Sequence, residues 1–216
     1  MKVRWLGSVP YEEALALQRA TRDALITEGG EGTLLLLEHP PVITTGRRSV
    51  EDLDPQRVAD AGYALVATER GGLATCHEPG QLVGYLLWDA RRLGVKRTVC
   101  AVQGAISSWL RRQGVAAASR DGYPGVWVGN DKVCAIGLHF REGRTMHGFA
   151  LNLTNDLRGF GLITPCGIVD GGVTSLLRLT GGMRAPSDVA AEIAKEVVET
   201  LDASEWSVNS VCAAGT

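Results

Sequence analysis

The chain has 216 residues, of which 45% are hydrophobic and 21% charged, and its net charge is -2. This composition is ordinary for a globular protein that buries a sizeable core. The near-neutral charge argues against a nucleic acid or an anionic membrane as the main partner. Apolar runs such as residues 34–37 are much shorter than the ~20 residues that a membrane span needs. We therefore expect neither nucleic-acid nor membrane partners.

The N-terminal residues, MKVRWLGSVPYEEAL, become polar and acidic at once, so we predict no secretion signal and a cytoplasmic location. The five cysteines, at positions 76, 100, 134, 166 and 212, include no C-x-x-C pair, so zinc-ribbon and thioredoxin sites fail on spacing. We expect no metal site. In a reducing compartment we also expect no structural disulfide, which leaves Cys166 as a free thiol.

The first half of the chain contains four predicted elements and no long linker, repeat or low-complexity tract. We therefore predict a single domain over residues 1–216. In chain order the elements are a helix over 10–28, a buried central strand over 33–38, a short helix from Asp54-Pro55 to about 61, and a strand over 63–68.

The second half mixes helices with consecutive strands. Residues 81–88 predict a strand and 96–113 the clearest helix, and Ser187 is expected to cap a last helix that ends near 201. Three strands between these helices are joined by hairpin turns at 129–131 and 141–144, and they cover residues 125–128, 132–139 and 146–153. The order predicts an α/β (α+β) domain with a mixed central β-sheet flanked by helices.

Residues 70–81, RGGLATCHEPGQ, form a glycine-rich connection between two predicted strands. Glycines let backbone approach a ligand closely and expose amide donors. Arg70 is suited to bind a carboxylate or phosphate, and His77 to donate or accept a hydrogen bond. A tight turn around a buried histidine explains the same residues equally well.

Lys132 begins a predicted strand directly after a turn, and strand alternation places it on one face with Cys134 and Ile136. A solvated lysine at the sheet edge is the simpler interpretation. In the functional alternative the lysine faces a site, where partial burial lowers its pKa.

The stretch TPCGI, residues 164–168, places Cys166 between a proline and a glycine. A buried inert thiol and an exposed nucleophile both fit this local context. A nucleophilic cysteine needs a base or cation nearby, and the candidates by residue type are four histidines and Lys132. These candidates are His39, His77, His139, His147 and Lys132. Neither papain-like nor caspase-like signatures surround Cys166.

Taken together and in order, these segments resemble the lipoyl(octanoyl) transferase family, the octanoyl-carrier-protein:protein N-octanoyltransferases. The resemblance runs along most of the chain. The matching motifs are Trp5-Leu6-Gly7, Tyr11-Glu12-Glu13-Ala14, Leu37-Glu38-His39-Pro40-Pro41-Val42, Gly46-Arg47-Arg48, Arg70-Gly71-Gly72 with Thr75 and His77, Pro79-Gly80-Gln81-Leu82-Val83 with Tyr85, Gly125-Val126-Trp127-Val128, Lys132 with Ala135-Ile136-Gly137, His147-Gly148-Phe149-Ala150-Leu151-Asn152, and Pro165-Cys166-Gly167-Ile168.

The resemblance implies an acyltransferase with the fold of biotin–protein and lipoate–protein ligases. It would move an octanoyl group from octanoyl-acyl carrier protein to a lysine of a lipoyl domain, without a cofactor. The implied acceptors are the lipoyl domains of 2-oxoacid dehydrogenase and glycine cleavage proteins. Cys166 would carry the acyl group as a thioester, and Lys132 would be its acid/base partner. The implied acyl pocket consists of Arg70, Gly71, Gly72, Leu73, Ala74, Thr75, Cys76, His77, Ala135, Ile136, Gly137, Gly148, Phe149 and Ala150.

Two residues depart from the family pattern. Glu78 stands where the family has glycine, so we expect backbone strain if that position needs a positive φ, and a carboxylate near the site. Cys76 replaces an aromatic residue, so we expect a roomier pocket there. Two rival functions follow: an ATP-dependent lipoate or biotin ligase on the same fold, and a degenerate protein that only binds carrier protein or lipoyl domains.

Overall fold

The computed structural model describes residues 1–48, 53–163 and 171–203. Within these ranges the strands are β1 Lys2–Ser8, β2 Thr33–Glu38, β3 Val42–Thr45, β4 Ala64–Ala67, β5 Thr75–His77, β6 Gln81–Leu87, β7 Ala118–Arg120, β8 Tyr123–Val128, β9 Asp131–Arg141 and β10 Arg144–Asn152. The helices are α1 Tyr11–Thr27, α2 Pro55–Asp60, α3 Val95–Arg112, α4 Leu176–Thr180 and α5 Pro186–Asp202, with a 3₁₀ turn at Arg158–Leu162.

Two sheets organise these elements. The large sheet has the order β1-β2-β6-β10-β9-β8-β7, in which β1 and β2 are parallel and the other neighbours antiparallel. The small sheet has the order β4-β3-β5 and is also mixed. The predicted mixed sheet flanked by helices is confirmed. The sequence pattern does not predict β1, β3, β5 or β7. The side chains of β1 and β7 are mostly exposed at the two edges, whereas β3 and β5 are only 4 and 3 residues long, and β5 lies inside the predicted connection over residues 70–81.

The two faces of the large sheet bury different side chains, as strand alternation requires. In β2, Leu34 and Leu36 pack with α3 and α5, whereas Leu35 and Leu37 pack with α1. Every residue of β6 and β10 is buried. These two strands therefore form the centre of a three-layer structure.

The predicted helices and hairpins are confirmed, with one local correction. Ser187 does not cap α5. Pro186 occupies the first helical turn, and the Asp188 side chain accepts a hydrogen bond from the Ala185 backbone N–H at 3.1 Å. Asp188 is the better partner because a carboxylate near a helix N-terminus also interacts favourably with the helix dipole.

The cysteines correct a second expectation. Cys100 on α3 is disulfide-bonded, whereas Cys76 and Cys134 are buried free thiols. The prediction that the chain has no structural disulfide is therefore wrong. None of the helices in the described ranges has both the length and the apolar character that crossing a membrane requires.

Glu78 is a buried anchor between the β5–β6 connection and the 3₁₀ turn. Its side chain is 4% exposed. Its carboxyl oxygens accept hydrogen bonds from the Tyr63 hydroxyl at 2.7 Å, Asn155 Nδ2 at 3.0 Å and the Leu157 backbone N–H at 2.9 Å. A fourth comes from the Gly159 N–H at 3.4 Å. The carboxyl group thus replaces the water that these buried donors lose on folding.

The expected strain at Glu78 is absent. The non-glycine residues with positive φ in the described chain are Glu142, His147 and Leu157, so Glu78 has an ordinary backbone conformation. Its carboxyl group points to the 3₁₀ turn and raises the pKa of the Cys76 thiol further, although burial is the main cause of that shift. The substitution for glycine therefore adds a structural contact.

We predict that Glu78→Ala lowers the free energy of unfolding by about 3 kcal/mol, because buried donors from Tyr63, Asn155 and Leu157 lose their acceptor. Urea denaturation measures this change. Glu199→Ala is the matched control, since Glu199 is exposed and lies 3.8 Å from Lys195. That control should shift stability by no more than about 0.5 kcal/mol. Equal losses in the two variants would contradict the anchor.

Candidate active site

A cavity of about 260 Å³ lies beside β6, β9 and β10, the glycine-rich segment before β5 and the first turns of α3. It is lined by Tyr11, Arg48, Arg70, Gly71, Gly72, Thr75, His77, Val83, Tyr85, Val95, Val99, Gly122, Tyr123, Pro124, Lys132, Ala135, Ile136, Gly137, Leu138, Phe140, His147, Gly148, Phe149 and Ala150.

Most residues of the pocket implied by the resemblance line this cavity. They are Arg70, Gly71, Gly72, Thr75, His77, Ala135, Ile136, Gly137, Gly148, Phe149 and Ala150. Leu73, Ala74 and Cys76 do not. Ala74 and Cys76 belong to the apolar cluster of Ile43, Val58 and Phe160, because alternation along β5 turns them away from Thr75 and His77. A roomier pocket at Cys76 is therefore not observed.

Glycines set the shape of the cavity wall. Gly137 and Gly148 are register partners on β9 and β10. A Cβ atom on Gly148 would lie 2.0 Å from the Gly84 carbonyl oxygen of β6, and one on Gly137 would lie 3.1 Å from the Gly71 carbonyl oxygen. A side chain at position 148 would collide with neighbouring backbone, and one at position 137 would make a tight contact with it. The glycines therefore allow the strands and the 70–72 segment to approach closely.

The Arg70 guanidinium donates hydrogen bonds to other groups within the protein. The residue is 8% exposed, and its guanidinium donates to the Thr44 carbonyl oxygen at 2.6 Å and the Thr44 hydroxyl at 3.0 Å. It also donates to the Gly71 carbonyl oxygen at 3.1 Å. These contacts hold the glycine-rich segment against β3. They favour a scaffold role for the guanidinium over the capture of a free carboxylate or phosphate.

Lys132 is buried at the start of β9, with 6% of its surface exposed, so the simple interpretation as a solvated edge lysine is wrong. Its Nζ lies 4.8 Å from the centroid of the Trp127 ring, a cation–π contact. The side chain passes over Gly125, where a Cβ would come within 3.2 Å of Lys132 Cε. Gly125 on the neighbouring strand therefore leaves room for the lysine side chain on its way to the cavity.

The backbone of Lys132 is tied to the segment that follows TPCGI in the sequence. Its N–H donates to the Gly172 carbonyl oxygen at 2.9 Å, and its carbonyl oxygen accepts from the Thr174 N–H at 3.0 Å. The Gly172 N–H also donates to the Asp131 carboxylate at 3.0 Å. Cys166 and the rest of TPCGI lie outside the described residues, so its role stays a prediction.

Five buried rings form a cluster next to the cavity. The ring centroids of His39 lie 5.1 Å from Tyr11, 5.6 Å from His77 and 5.8 Å from Tyr85. Tyr85 in turn lies 6.3 Å from His147. All of them line the cavity except His39, which is fully buried behind them. The sequence indicates His77 as a pocket residue and His39 and His147 as candidate partners of Cys166. It does not indicate that their side chains meet, because they do so through long-range packing.

Hydrogen bonds indicate the tautomers in this cluster. His39 Nδ1 lies 2.6 Å from the Val9 carbonyl oxygen, which can only accept, so Nδ1 carries the proton. His39 Nε2 then accepts from the Tyr85 hydroxyl at 2.6 Å. Burial lowers the pKa of His39 to about 4 and raises that of Tyr11 to about 12. The cluster therefore presents neutral rings to the cavity at pH 7.

His147 is the unusual member of the cluster. Its φ of 61° lies in the left-handed region, which costs a non-glycine residue on the order of 1 kcal/mol. It is 2% exposed, and neither ring nitrogen has a hydrogen-bond partner among the described residues. Burial lowers its pKa to about 3, although the Glu69 carboxylate, 4.0 Å from Nε2, acts in the opposite direction.

Several lining residues come from elements without a recognisable chemical motif. Val95 and Val99 belong to α3, and Tyr123 and Pro124 begin β8. The apolar spacing of α3 predicts Val99 on a buried face. The cavity position of these side chains depends on how α3 packs over the sheet. No group of three or more histidine, cysteine or carboxylate side chains in the described ranges is arranged to hold a metal ion.

We predict that the free energy of unfolding falls as pH drops from 7 to 5. An unfolded histidine titrates near 6.5, whereas burial keeps His39 and His147 unprotonated down to about 4 and about 3. Below pH 6.5 the unfolded state therefore binds protons that the folded state rejects. Each such histidine contributes a slope of up to about 1.4 kcal/mol per pH unit.

Urea denaturation at pH values between 7.5 and 5 measures this slope, and His147→Gln should reduce it by the contribution of one histidine. This window lies above the range in which ordinary carboxylates titrate. Stability that stays constant across the window, or an unchanged slope in His147→Gln, would contradict the neutral cluster.

Comparisons with known proteins agree with this architecture. The family model for the lipoyl protein ligase A/B catalytic domain matches residues 10–199. An octanoyltransferase of Mycolicibacterium gilvum is 40% identical over 209 residues, covering 94% of this chain and 86% of the relative. An octanoyltransferase of Nitratidesulfovibrio vulgaris is 44% identical over 178 residues, covering 80% of this chain and 81% of the relative.

Solved structures show the same fold at low sequence identity. A putative lipoate protein ligase from T. acidophilum with bound lipoic acid superimposes with a TM-score of 0.72 at 18% identity, covering 93% of this chain and 86% of that one. A biotin protein ligase from Aquifex aeolicus in complex with biotin and ATP gives 0.57 at 15% identity, covering 93% and 70%. The expected ligase-like fold is confirmed.

The match over residues 10–199 and the identities of 40% and 44% extend over most of the chain. The chain belongs to the lipoyl protein ligase A/B catalytic domain family, and its curated relatives place it among that family's octanoyltransferases.

Proposed function

We propose that the protein transfers an octanoyl group from octanoyl-acyl carrier protein to a lysine ε-amino group of a lipoyl domain, through a thioester on Cys166. The observation that carries this proposal is the cavity with a buried lysine, Lys132, in its wall. The whole of residues 1–216 would act as one catalytic domain. The acceptor domains of 2-oxoacid dehydrogenase and glycine cleavage proteins, and a cytoplasmic location, stay predictions.

The cavity suits an uncharged acyl chain. Its wall combines glycine backbone with apolar side chains such as Val83, Ile136 and Phe149. No lining residue in the described part of the chain is acidic, and the adjacent histidines and tyrosines are neutral. A chain of eight carbons gains free energy by leaving water for such a surface. The same lining would disfavour a charged group deep in the cavity.

Lys132 has a proton-transfer task in each step. In the first, the Cys166 thiolate attacks the donor thioester carbonyl, and the carrier thiolate leaves and takes up a proton from the Lys132 ammonium. In the second, the neutral amine of the acceptor lysine attacks the acyl-Cys166 carbonyl while Lys132 takes the amine's proton. The Cys166 thiolate leaves and an amide forms. In the free enzyme, before the first step and after the second, the positive charge of Lys132 also favours the thiolate.

The two alternative functions suggested by the sequence require different residues. An ATP-dependent ligase would activate free octanoate through an adenylate and would not need Cys166. The degenerate-binder alternative rested on Glu78, whose carboxyl group faces the 3₁₀ turn rather than the cavity, so that reason no longer applies. Activation of free octanoate with ATP, with full activity after Cys166→Ser, would favour the ligase.

We predict that octanoyl-carrier protein alone adds one octanoyl group to the enzyme, because the first half-reaction needs no acceptor. Intact-protein mass spectrometry detects the adduct, and hydroxylamine should remove it as it does other thioesters. The assay includes a phosphine reductant to reduce disulfide bonds. Cys100 is disulfide-bonded, and a cysteine held in a disulfide cannot accept an acyl group.

Cys166→Ala should form no adduct, whereas Cys134→Ala, which removes a buried free thiol, should still form it. An adduct of equal yield in Cys166→Ala, or none in the wild type, would refute the intermediate.

We predict that Lys132→Arg lowers kcat by at least about 100-fold, because arginine keeps the charge but does not act as a base near neutral pH. Steady-state transfer to a lipoyl domain measures the loss, and circular dichroism checks the fold. Lys195→Arg on the exposed face of α5 is the control and should keep wild-type turnover. Near-normal turnover in Lys132→Arg would limit Lys132 to a structural role.

A further inference from the structure

One buried polar side chain in the cavity wall has unsatisfied hydrogen-bonding groups. His147 lines the cavity and is 2% exposed, and neither of its ring nitrogens has a hydrogen-bond partner among the described residues. The Glu69 carboxylate lies 4.0 Å from Nε2, which is too long for a hydrogen bond. Buried polar side chains nearly always have a partner. An unsatisfied imidazole in the wall of a substrate cavity therefore indicates a place where a polar ligand group binds.

The backbone at His147 reverses the direction that strand alternation predicts for its ring. Alternation places residue 147 on the same face of β10 as Phe149, which packs with the α3 side of the sheet. The His147 ring instead lies 6.3 Å from Tyr85, which packs with α1. The left-handed φ of 61° accounts for this reversal, and the His147 N–H donates to Gln18 Oε1 at 2.9 Å. Backbone strain that is retained to place one side chain is typical of functional sites.

His147 and Lys132 lie at opposite ends of the cavity. Lys132 begins β9, whereas the register partner of His147 is Leu138, farther along the same strand. At roughly 3.3 Å per residue the two positions are about 20 Å apart. An extended eight-carbon chain spans only about 9 Å, at roughly 1.2 Å per bond. An octanoyl chain that begins near Lys132 therefore ends short of His147, and each added methylene brings the chain end closer to the ring.

We propose that His147 is a specificity-determining residue, which keeps the end of the cavity remote from Lys132 polar and thereby excludes long apolar acyl chains. This inference rests on the proposed function and names the acyl chains that the site accepts. A methyl group that reached the ring would leave both nitrogens buried without a partner, which is unfavourable.

A chain that ends in a hydroxyl group matches the same ring. Neutral imidazole has one nitrogen that donates and one that accepts, and a hydroxyl group also does both. The His147 ring is neutral at pH 7, because burial lowers its pKa to about 3. The polar end of the cavity therefore distinguishes between two long chains that differ only in their last atom.

The first test uses the wild-type enzyme and carrier-protein donors that carry octanoyl, dodecanoyl or 12-hydroxydodecanoyl groups. The carrier protein and the acceptor are the same for all three, so differences in kcat/KM report on the acyl chain. We expect kcat/KM for 12-hydroxydodecanoyl to exceed that for dodecanoyl by about 10-fold or more. An apolar cavity end would give the opposite order, because the hydroxyl group would lose its hydrogen bonds to water.

Two variants at position 147 separate polarity from size, and circular dichroism checks that they fold. His147→Phe fills a similar space without polar atoms, so the preference for the hydroxyl-ended chain should be lost. His147→Asn is smaller, keeps hydrogen-bonding atoms and tolerates a left-handed backbone, so it should retain that preference. A gain for dodecanoyl over 12-hydroxydodecanoyl in His147→Asn would show that side-chain volume limits the chain, and it would overturn the inference.

His139→Phe is the matched control, because His139 lies on β9 and does not line the cavity. It should keep the wild-type preference between the two twelve-carbon chains. A wild-type enzyme that transfers octanoyl but gains nothing from the terminal hydroxyl group would overturn the role of His147 and leave the proposed function intact. A wild-type enzyme that transfers no octanoyl group from carrier protein would instead refute the proposed function.

Discussion

The cavity depends on the absence of side chains at three neighbouring positions in the large sheet. Gly84, Gly148 and Gly137 lie on β6, β10 and β9, and added Cβ atoms would meet Phe149, the Gly84 carbonyl oxygen and the Gly71 carbonyl oxygen. Close packing of the interior leaves such collisions no space to relax. The glycines thus permit a close approach of neighbouring backbones. The β-branched residues that are usual in central strands would prevent this approach.

The same burial that shapes the cavity determines its charge state. Desolvation penalises charged imidazole and phenolate, so the histidines and tyrosines beside the cavity stay neutral at pH 7. Lys132 differs because its ammonium group contacts the Trp127 ring and lies where the cavity wall meets β8. Arg48 and Arg70 also line the cavity, but Arg70 is held by Thr44. Lys132 therefore gives the proposed chemistry a defined place, at one side of a compartment suited to an alkyl chain.

Local patterns in the sequence predict the large elements and part of the site. Helix spacing locates α3, hairpin turns locate β8 to β10, and alternation along β9 places Lys132 on the face that it shares with Ile136. The hydrogen-bond partners of the Glu78 carboxyl group could not be predicted, because Asn155 and Leu157 are almost 80 residues away in the sequence. The ring cluster around His39 could not be predicted for the same reason, because its members come from different elements and meet only through packing.

The segment that carries Cys166 is flanked by two anchors of different kinds. Upstream, the carboxyl group of Glu78 accepts hydrogen bonds from the 3₁₀ turn that ends at Leu162. Downstream, Gly172 and Thr174 bond the backbone of Lys132 itself. A shift of residues 172–174 would therefore also displace the backbone of the proposed base. Backbone pairing at the start of β9 thus ties the proposed base directly to the chain that follows TPCGI in the sequence, and such pairing is stiffer than a contact between two long side chains.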